Sequence, residues 1–411
     1  MRCCGPDSPL AISRSRKPSL DFKIALIILH ADPARGGAER YTIDLATTLG
    51  QRGHHVTVLA ATARNLPANL KTRRLPCRAM TRLGQYDRFL NAVDEHLARS
   101  SYNIVHAMLP VRTCHVYHPH AGVAAEALAA ATPHPPSWLT PVVHAWPTRK
   151  RRFASVERDL LSSPRPPLVL CLSDYVRRQI HTHYPAIADH RLVRLFNAVD
   201  LQHFRHQPRD DEATRLRQRL SIASDDVVAL MVAQDFARKG LREAIEALAS
   251  VHDPRLTLVV VGRDKVKPYR DRARQLLVAD RVRFAGPAAD PRAYYRAADF
   301  LLLPTRHDPC SLVVLEALAM GLPVISTAQN GACEIMCDGR EGLVLQDPSD
   351  IPRLADAMRS MLDPQLRSRM RDACLTLRPQ LSQEQHVRRL IEAYEQATSP
   401  PPPQQRPSIT R

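Results

Sequence analysis

Three short stretches hold the residue types best suited to chemistry. One is Ala233-Gln234-Asp235-Phe236-Ala237-Arg238-Lys239-Gly240, which follows an apolar run at 227–231. A guanidinium grips phosphate oxygens with two N–H groups and an ammonium adds a compact point charge, so Arg238 and Lys239 together suit the neutralisation of a diphosphate. Such a pair at the carboxyl end of a strand sits where open α/β sheets bind ligands; on an exposed turn it is only a solvated basic corner. A second stretch runs from Thr305 to Val324, where a loop carrying Asp308 leads into an amphipathic helix that stops at Gly321. The first amides of that helix, at Ser311, Leu312 and Val313, would offer N–H donors to an anion, and Glu316 could accept hydrogen bonds from ribose hydroxyls. Asp308 could instead cap the helix, and a glutamate inside the apolar run LVVLEALAM needs a partner if it is buried.

The third stretch, Arg35-Gly36-Gly37-Ala38-Glu39-Arg40, lies between an apolar run and a helix whose apolar positions include Tyr41, Leu45 and Leu49. Gly36 and Gly37 let backbone N–H groups approach an anion, and a helix N-terminus adds partial positive charge. The pattern is neither GxGxxG nor a phosphate loop ending in Gly-Lys-Ser/Thr, so a plain tight turn competes with this reading. Histidines 106, 115, 118 and 120 cluster in HAMLPVRTCHVYHPHAG. With no carboxylate nearby to complete a ligand set, a substrate contact by His120 or His118 is the better expectation than a metal. There is no Asp-x-Asp of the kind that chelates a nucleotide through a divalent ion, which fits metal-independent neutralisation by Arg238 and Lys239.

The elements that must position these groups alternate. β-Branched apolar runs at 24–29, 55–59, 103–107, 168–172, 227–231, 256–261, 281–285 and 323–326 are separated by helical patterns such as Leu241, Ala244, Ile245 and Leu248. That rhythm implies parallel sheets covered by helices. A length of 411 residues fits two domains. The charged stretch FRHQPRDDEATRL at 204–216 marks the boundary between an N-terminal domain, 21–208, and a C-terminal one, 209–381. A helix over 382–398 follows, with Ser382 and Gln385 as a capping box and an apolar stripe at Val387, Leu390, Ile391 and Tyr394. The ends, 1–20 and 399–411, are polar, Pro-rich and unpatterned, and are expected to be disordered.

Composition narrows the rest. Lysine and arginine number 58 against 41 acids, and the net charge of +17 favours an anionic partner. With 5% aromatics and no recognised nucleic-acid module, nucleic acid is the weakest of these. Nine cysteines without paired spacing suggest a reducing compartment. No apolar run approaches the roughly 20 residues that span a bilayer, and the N-terminus lacks the apolar core of a secretion signal. A cytoplasmic protein is expected, either free or peripheral on the inner membrane. Cys3 and Cys4 are weak candidates for acylation.

Taken in order, the Gly-Gly loop, Ser173-Asp174-Tyr175-Val176, Phe196-Asn197-Ala198-Val199-Asp200, Arg238-Lys239-Gly240 and an acid before Glu316 resemble family 4 retaining glycosyltransferases of GT-B fold over about residues 22–395. Asp235 to Gly240 followed by Glu246-Ala247-Leu248-Ala249-Ser250 is similar to the branch that builds lipopolysaccharide cores. The resemblance implies an α/β protein of two facing Rossmann-like domains with parallel sheets and an interdomain cleft, the acceptor on the first domain, the nucleotide sugar on the second and the last helix crossing back. It places Gly37 beside the donor phosphates, Arg238 and Lys239 on the departing diphosphate, Glu316 on ribose and His120 near the acceptor. Asp308 stands where the family usually has glutamate, one methylene longer. The implied reaction moves a hexose, glucose above others, from a UDP-sugar to a glycolipid or lipopolysaccharide-core acceptor with retention, without metal, resident cofactor or protein nucleophile. The alternatives are a GDP-mannose-dependent mannosyltransferase of the same family and a non-catalytic binding protein. The basic run Arg149-Lys150-Arg151-Arg152 suits contact with an anionic membrane, or is simply a solvated helix face.

Overall fold

The computed structural model describes residues 21–129 and 148–399. The expected disorder of 1–20 and of the tail from 400, and the two N-terminal cysteines, lie outside the described residues. The chain forms two compact units.

The first sheet is built from β1 (Lys23–Ile27), β3 (His55–Ala60), β5 (Thr72–Arg74), β6 (Ile104–Ala107), β7 (Val116–Tyr117), β8 (Leu168–Cys171) and β9 (Leu192–Arg194), in the order β5-β3-β1-β6-β7-β8-β9. The intervening β2 (His30–Ala31) and β4 (Thr62–Ala63) pair only with each other. Every pairing from β5 to β8 is parallel. β1 and β6 are almost wholly buried, which explains why they read as continuous apolar runs without alternation. The helix Gly37–Gln51 buries Tyr41, Leu45 and Leu49 as their spacing requires.

The second sheet comprises β10 (Val227–Val232), β11 (Leu256–Val261), β12 (Val282–Gly286), β13 (Phe300–Leu303), β14 (Val324–Thr327) and β15 (Gly342–Leu345), in the order β12-β11-β10-β13-β14-β15. All of its pairings are parallel. The order runs outward in both directions from β10, so β10 and β13 flank the point where the connections reverse, and loops after their carboxyl ends diverge to leave a binding crevice. The helix Leu241–Ser250 packs through Leu241, Ala244, Ile245 and Leu248. Its start is fixed by Gly240, at φ 79°, where an added Cβ would lie 2.1 Å from the Pro304 carbonyl oxygen. Only glycine accepts both that backbone and that approach.

Several strands are not apparent from the sequence. β13 is four residues with no β-branched side chain, and β15 is equally short. β5, β7 and β9 have only two or three residues each and are defined by their neighbours in the sheet. The units also divide differently from a cut at 208/209. Residues 171–182 and 194–208 pack with the second unit, while 183–193 and 387–399 pack with the first. One local reason is Glu334, whose carboxylate accepts the N–H groups of Asp174 and Tyr175, both at 2.6 Å, and so caps the helix Asp174–His183. In the last helix, Gln383–Thr398, Ser382 Oγ accepts the Gln385 N–H at 3.3 Å. Val387, Leu390 and Tyr394 are buried, with Ile391 at the margin. Tyr394 meets Phe22 edge-on at 6.1 Å, and its hydroxyl lies 2.8 Å from His106 Nδ1.

Candidate functional site

In the second unit, the turn after β10 and the loop after β13 bring Arg238, Lys239 and Asp308 together. Both Lys239 and Asp308 are buried, 8% and 7% exposed, and the lysine ammonium donates to Asp308 Oδ2. Arg238 stands beside them, its Nη1 3.9 Å from the same oxygen and donating to the His307 carbonyl at 2.7 Å, while its Nε reaches Asp235 at 3.2 Å. Burial alone would push the Asp308 carboxyl up, but Lys239, followed by Arg238, outweighs it and holds the group below the usual carboxylate range. Asp308 is therefore the partner of the buried lysine and not a helix cap; Ser311 occupies the N-cap position of Leu312–Ala319.

The amides proposed as anion donors are not equivalent. The Ser311 N–H already donates to Asn330 Oδ1 at 3.3 Å, which corrects its assignment as a free donor: the buried asparagine, held in turn by Ser326, takes up this group. Those of Leu312 and Val313 open the helix, where the geometry of the first turn leaves N–H groups pointing outward from its end. Glu316 is buried and its Oε2 accepts the Tyr295 hydroxyl at 2.7 Å. This is a partner of the kind that a glutamate in an apolar helix requires.

The other proposed residues belong to the first unit. Gly36 precedes the helix Gly37–Gln51 in extended conformation, and a Cβ on it would meet Glu39 Oε2 at 3.2 Å. Beside this turn Asp32 accepts the Ala34 N–H at 3.1 Å and Asn65 Nδ2 at 3.0 Å, which ties the chain before Arg35. His30 sits nearby with Nδ1 2.9 Å from Thr62 Oγ1, its pKa lowered by burial and then by Arg35 and Arg149. Three of the histidines form a row. His118 is fully buried, its ring 5.4 Å from His106 and 5.1 Å from His120, whereas His120, 8% exposed, ends the row against Tyr41 at 4.4 Å. Of the two histidines, His120 is the one at the edge of the cluster.

Two family models cover most of the chain: "Glycosyltransferase Family 4" matches residues 35–203 and "Glycosyl transferases group 1" matches 212–374. The crystal structure of WaaG, a glycosyltransferase involved in lipopolysaccharide biosynthesis, superposes with a TM-score of 0.76 at 25% identity, covering 91% of this chain and 98% of that one. The chain belongs to the GT-B glycosyltransferases. In sequence, this glycosyltransferase is 27% identical to the lipopolysaccharide glucosyltransferase WaaG of Escherichia coli K12, over 80% of its own length and 86% of the relative's. It is also 28% identical to a D-inositol 3-phosphate glycosyltransferase of Acidothermus cellulolyticus, over 85% and 84%.

Sequence reasoning overlooked the groups that hold Arg238, Lys239 and Asp308 in place. Thr305 Oγ1 donates to the Arg238 carbonyl at 3.1 Å, and Thr327 Oγ1 to the Thr305 carbonyl at 2.6 Å. Arg306 pairs with the buried Glu243. Asn330 and Tyr295 act as described above. A polar residue at or just past the carboxyl end of an apolar strand, as at Thr327 and Thr305, was the available signal; for Asn330 and Tyr295 the sequence carries none. Among the described residues no helix is long and apolar enough to cross a membrane.

Proposed function

We propose that this glycosyltransferase is a family 4 enzyme that moves glucose from a UDP-sugar to a glycolipid acceptor of lipopolysaccharide-core type, with retention of anomeric configuration. The observation that carries the reading is the grouping of Arg238 and Lys239, in the turn after β10, around Asp308 in the loop that leads into Leu312–Ala319. Two cations beside the loop that enters this helix suit a diphosphate better than a neutral ligand. As the bond from the anomeric carbon to the leaving phosphate oxygen breaks, negative charge accumulates on the diphosphate. Groups fixed in advance stabilise that charge without reorganising. A departing phosphate oxygen takes the proton of the attacking acceptor hydroxyl on the same face of the sugar, so configuration is retained without a protein nucleophile. Glu316 is assigned to the ribose, and Gly37, at the start of its helix, to the donor phosphates.

Asp308 has a defined part in this reading. In the ligand-free protein it neutralises Lys239; an arriving diphosphate competes for the ammonium and frees the carboxylate to accept a sugar hydroxyl. His120 is assigned to the acceptor. The glucose donor and the lipopolysaccharide-type acceptor are supported by the relative WaaG, and the peripheral membrane location by the run at 149–152, which lies on the helix Arg149–Leu161. The second reading, transfer to a phosphorylated inositol, is favoured by the D-inositol 3-phosphate glycosyltransferases among the relatives.

Calorimetric titration with UDP, UDP-glucose and GDP-mannose in the absence of metal tests the donor. UDP-glucose should bind best, and Arg238→Ala should weaken it. Equal or better binding of GDP-mannose would transfer the assignment to the mannosyl branch, and no nucleotide binding at all would leave a non-catalytic protein. Comparison of lipopolysaccharide-core and inositol phosphate acceptors then separates the two transfer reactions.

A further inference from the structure

The loop between β13 and the helix Leu312–Ala319 is held residue by residue. His307 Nδ1 lies 2.7 Å from the Tyr175 hydroxyl. The Asp308 N–H donates to the Gln329 carbonyl and its own carbonyl accepts from Gly331 N–H, both at 2.9 Å. Ser173 Oγ donates to the Pro309 carbonyl at 2.7 Å, and Asn197 Nδ2 to the Cys310 carbonyl at 2.9 Å. The Ser311 N–H ends the series on Asn330. Gln329 and Gly331 contribute backbone, which most residues could supply. Ser173 and Asn197 contribute side chains, and both are buried, at 0% and 3% exposed. Packing here is close: a Cβ on Gly331 would lie 2.0 Å from the Pro309 oxygen and 2.2 Å from Ser173 Oγ.

The two side chains differ in what else they do. Ser173 Oγ also accepts the Val176 N–H at 3.3 Å, so a helix-start role accounts for part of it. Asn197 has no such local task. Its amide donates to the loop, while its Oδ1 is buried with no hydrogen-bond partner among the described residues. A half-satisfied buried amide is unfavourable, and a leucine of similar shape would remove that cost. Stability alone therefore does not account for an asparagine at 197; the shape of the loop does. Both residues lie in the two motifs, Ser173-Asp174-Tyr175-Val176 and Phe196-Asn197-Ala198-Val199-Asp200, for which the donor chemistry gives no role, and both belong to the second unit although they precede residue 208.

We propose that Asn197 and Ser173 are positioning residues of the donor loop: by holding the Cys310 and Pro309 carbonyls they fix Asp308 on one side and the opening amides of Leu312–Ala319 on the other. This rests on the reading of that loop as part of the donor site. Misplacement of such groups by about 1 Å is enough to cost about a hundredfold in rate. Both side chains act through the geometry of the loop, and neither needs to touch the donor.

The test compares wild type with Asn197→Leu, using Ser173→Ala as the second variant. Amide hydrogen exchange over 308–313 needs no substrate; it should accelerate by about tenfold or more in each variant, with the melting midpoint kept close to wild type. With UDP-glucose and a lipopolysaccharide-core acceptor, kcat should fall by about ten- to a hundredfold while the donor KM moves by less than about threefold, the pattern of a group that shapes the transition state. The double variant should lose little more than either single one, because both hold the same loop. Unchanged exchange in both variants overturns the proposal, as does faster exchange with undiminished kcat. If the wild type turns over no nucleotide sugar, the functional reading fails, and the exchange result still decides whether these side chains hold the loop. A drop in midpoint that tracks the loss of kcat would make the role a merely structural one and overturn the assignment.

Discussion

Two buried carboxylates, one in each unit, are handled in opposite ways. Glu157, fully buried in the first unit, is surrounded by neutral donors: the Tyr117 and Tyr184 hydroxyls at 2.6 and 2.8 Å and the Ala124 and Ala125 N–H groups at 3.0 and 3.1 Å. Burial raises its pKa, and the four hydrogen bonds only partly oppose this. Asp308 in the second unit is surrounded by cations, and its pKa is lowered. A carboxylate satisfied by fixed neutral donors joins elements that never need to separate. One satisfied by a lysine and an arginine leaves a charge relationship that an incoming anion can rearrange. The first arrangement suits architecture, the second a binding site.

The largest expected effect comes from breaking the charged centre. Lys239→Met should leave Asp308 buried without its partner, costing about 3–5 kcal/mol of stability, and should abolish turnover; urea unfolding and donor titration measure the two. Asp308→Asn, which removes the negative partner instead, should lose turnover while diphosphate binding survives, because the lysine is then released to the ligand. The neutral centre should give a different signature. Glu157→Leu strands four donors and should cost about 3 kcal/mol or more, given 1–3 kcal/mol for each unsatisfied buried group. Donor affinity per folded molecule should remain as in wild type. Equal loss of donor affinity in Glu157→Leu would undo the distinction between the two centres.

Arg238→Ala sharpens the same contrast from the exposed side. Removing one donor aimed at developing charge lowers kcat by about 10²–10³ in comparable sites, and here it should do so with little change in the unfolding midpoint. The smallest effect is in acid, where the signs differ. Asp308 has a folded-state pKa below its unfolded value of about 3.9, so its contribution is complete above that pH and disappears as pH falls through the lower folded value. Glu157 has a folded-state pKa above about 4.3; the folded state binds more protons between the two values, and its contribution declines as pH rises through that window. Urea unfolding of wild type, Asp308→Asn and Glu157→Gln between about pH 3 and 7 should show the stability difference from Asp308→Asn shrinking in acid and that from Glu157→Gln changing in the opposite sense.

Much of the arrangement was legible in the chain itself. The long β-branched runs at β10 and β11 could form only buried parallel strands, and the Leu241, Ala244, Ile245, Leu248 spacing defined the helix that follows the Arg238-Lys239 turn. Strands of two to four residues such as β7 and β13 were not legible, because nothing in a four-residue run such as Phe300–Leu303 separates it from the end of a buried helix. The cations and acids of the candidate site stand out by type and spacing, but their pairing does not. Asp308 and Lys239 are 69 positions apart, and their contact depends on β10 and β13 being neighbours.

The sequence by itself therefore determined the period of each long element, the glycine that starts the helix at Leu241 and the chemical identity of the charged groups, since these follow from local sterics and side-chain type. Tertiary structure alone decided which polar groups were already engaged. Ser311 is tied to Asn330, Glu316 to Tyr295, Lys239 to Asp308 and Cys310 to Asn197, each across 19 or more positions of chain. The reason is that a buried polar group must find a partner wherever the packed elements bring one, and that choice depends on strand order and not on the neighbouring sequence.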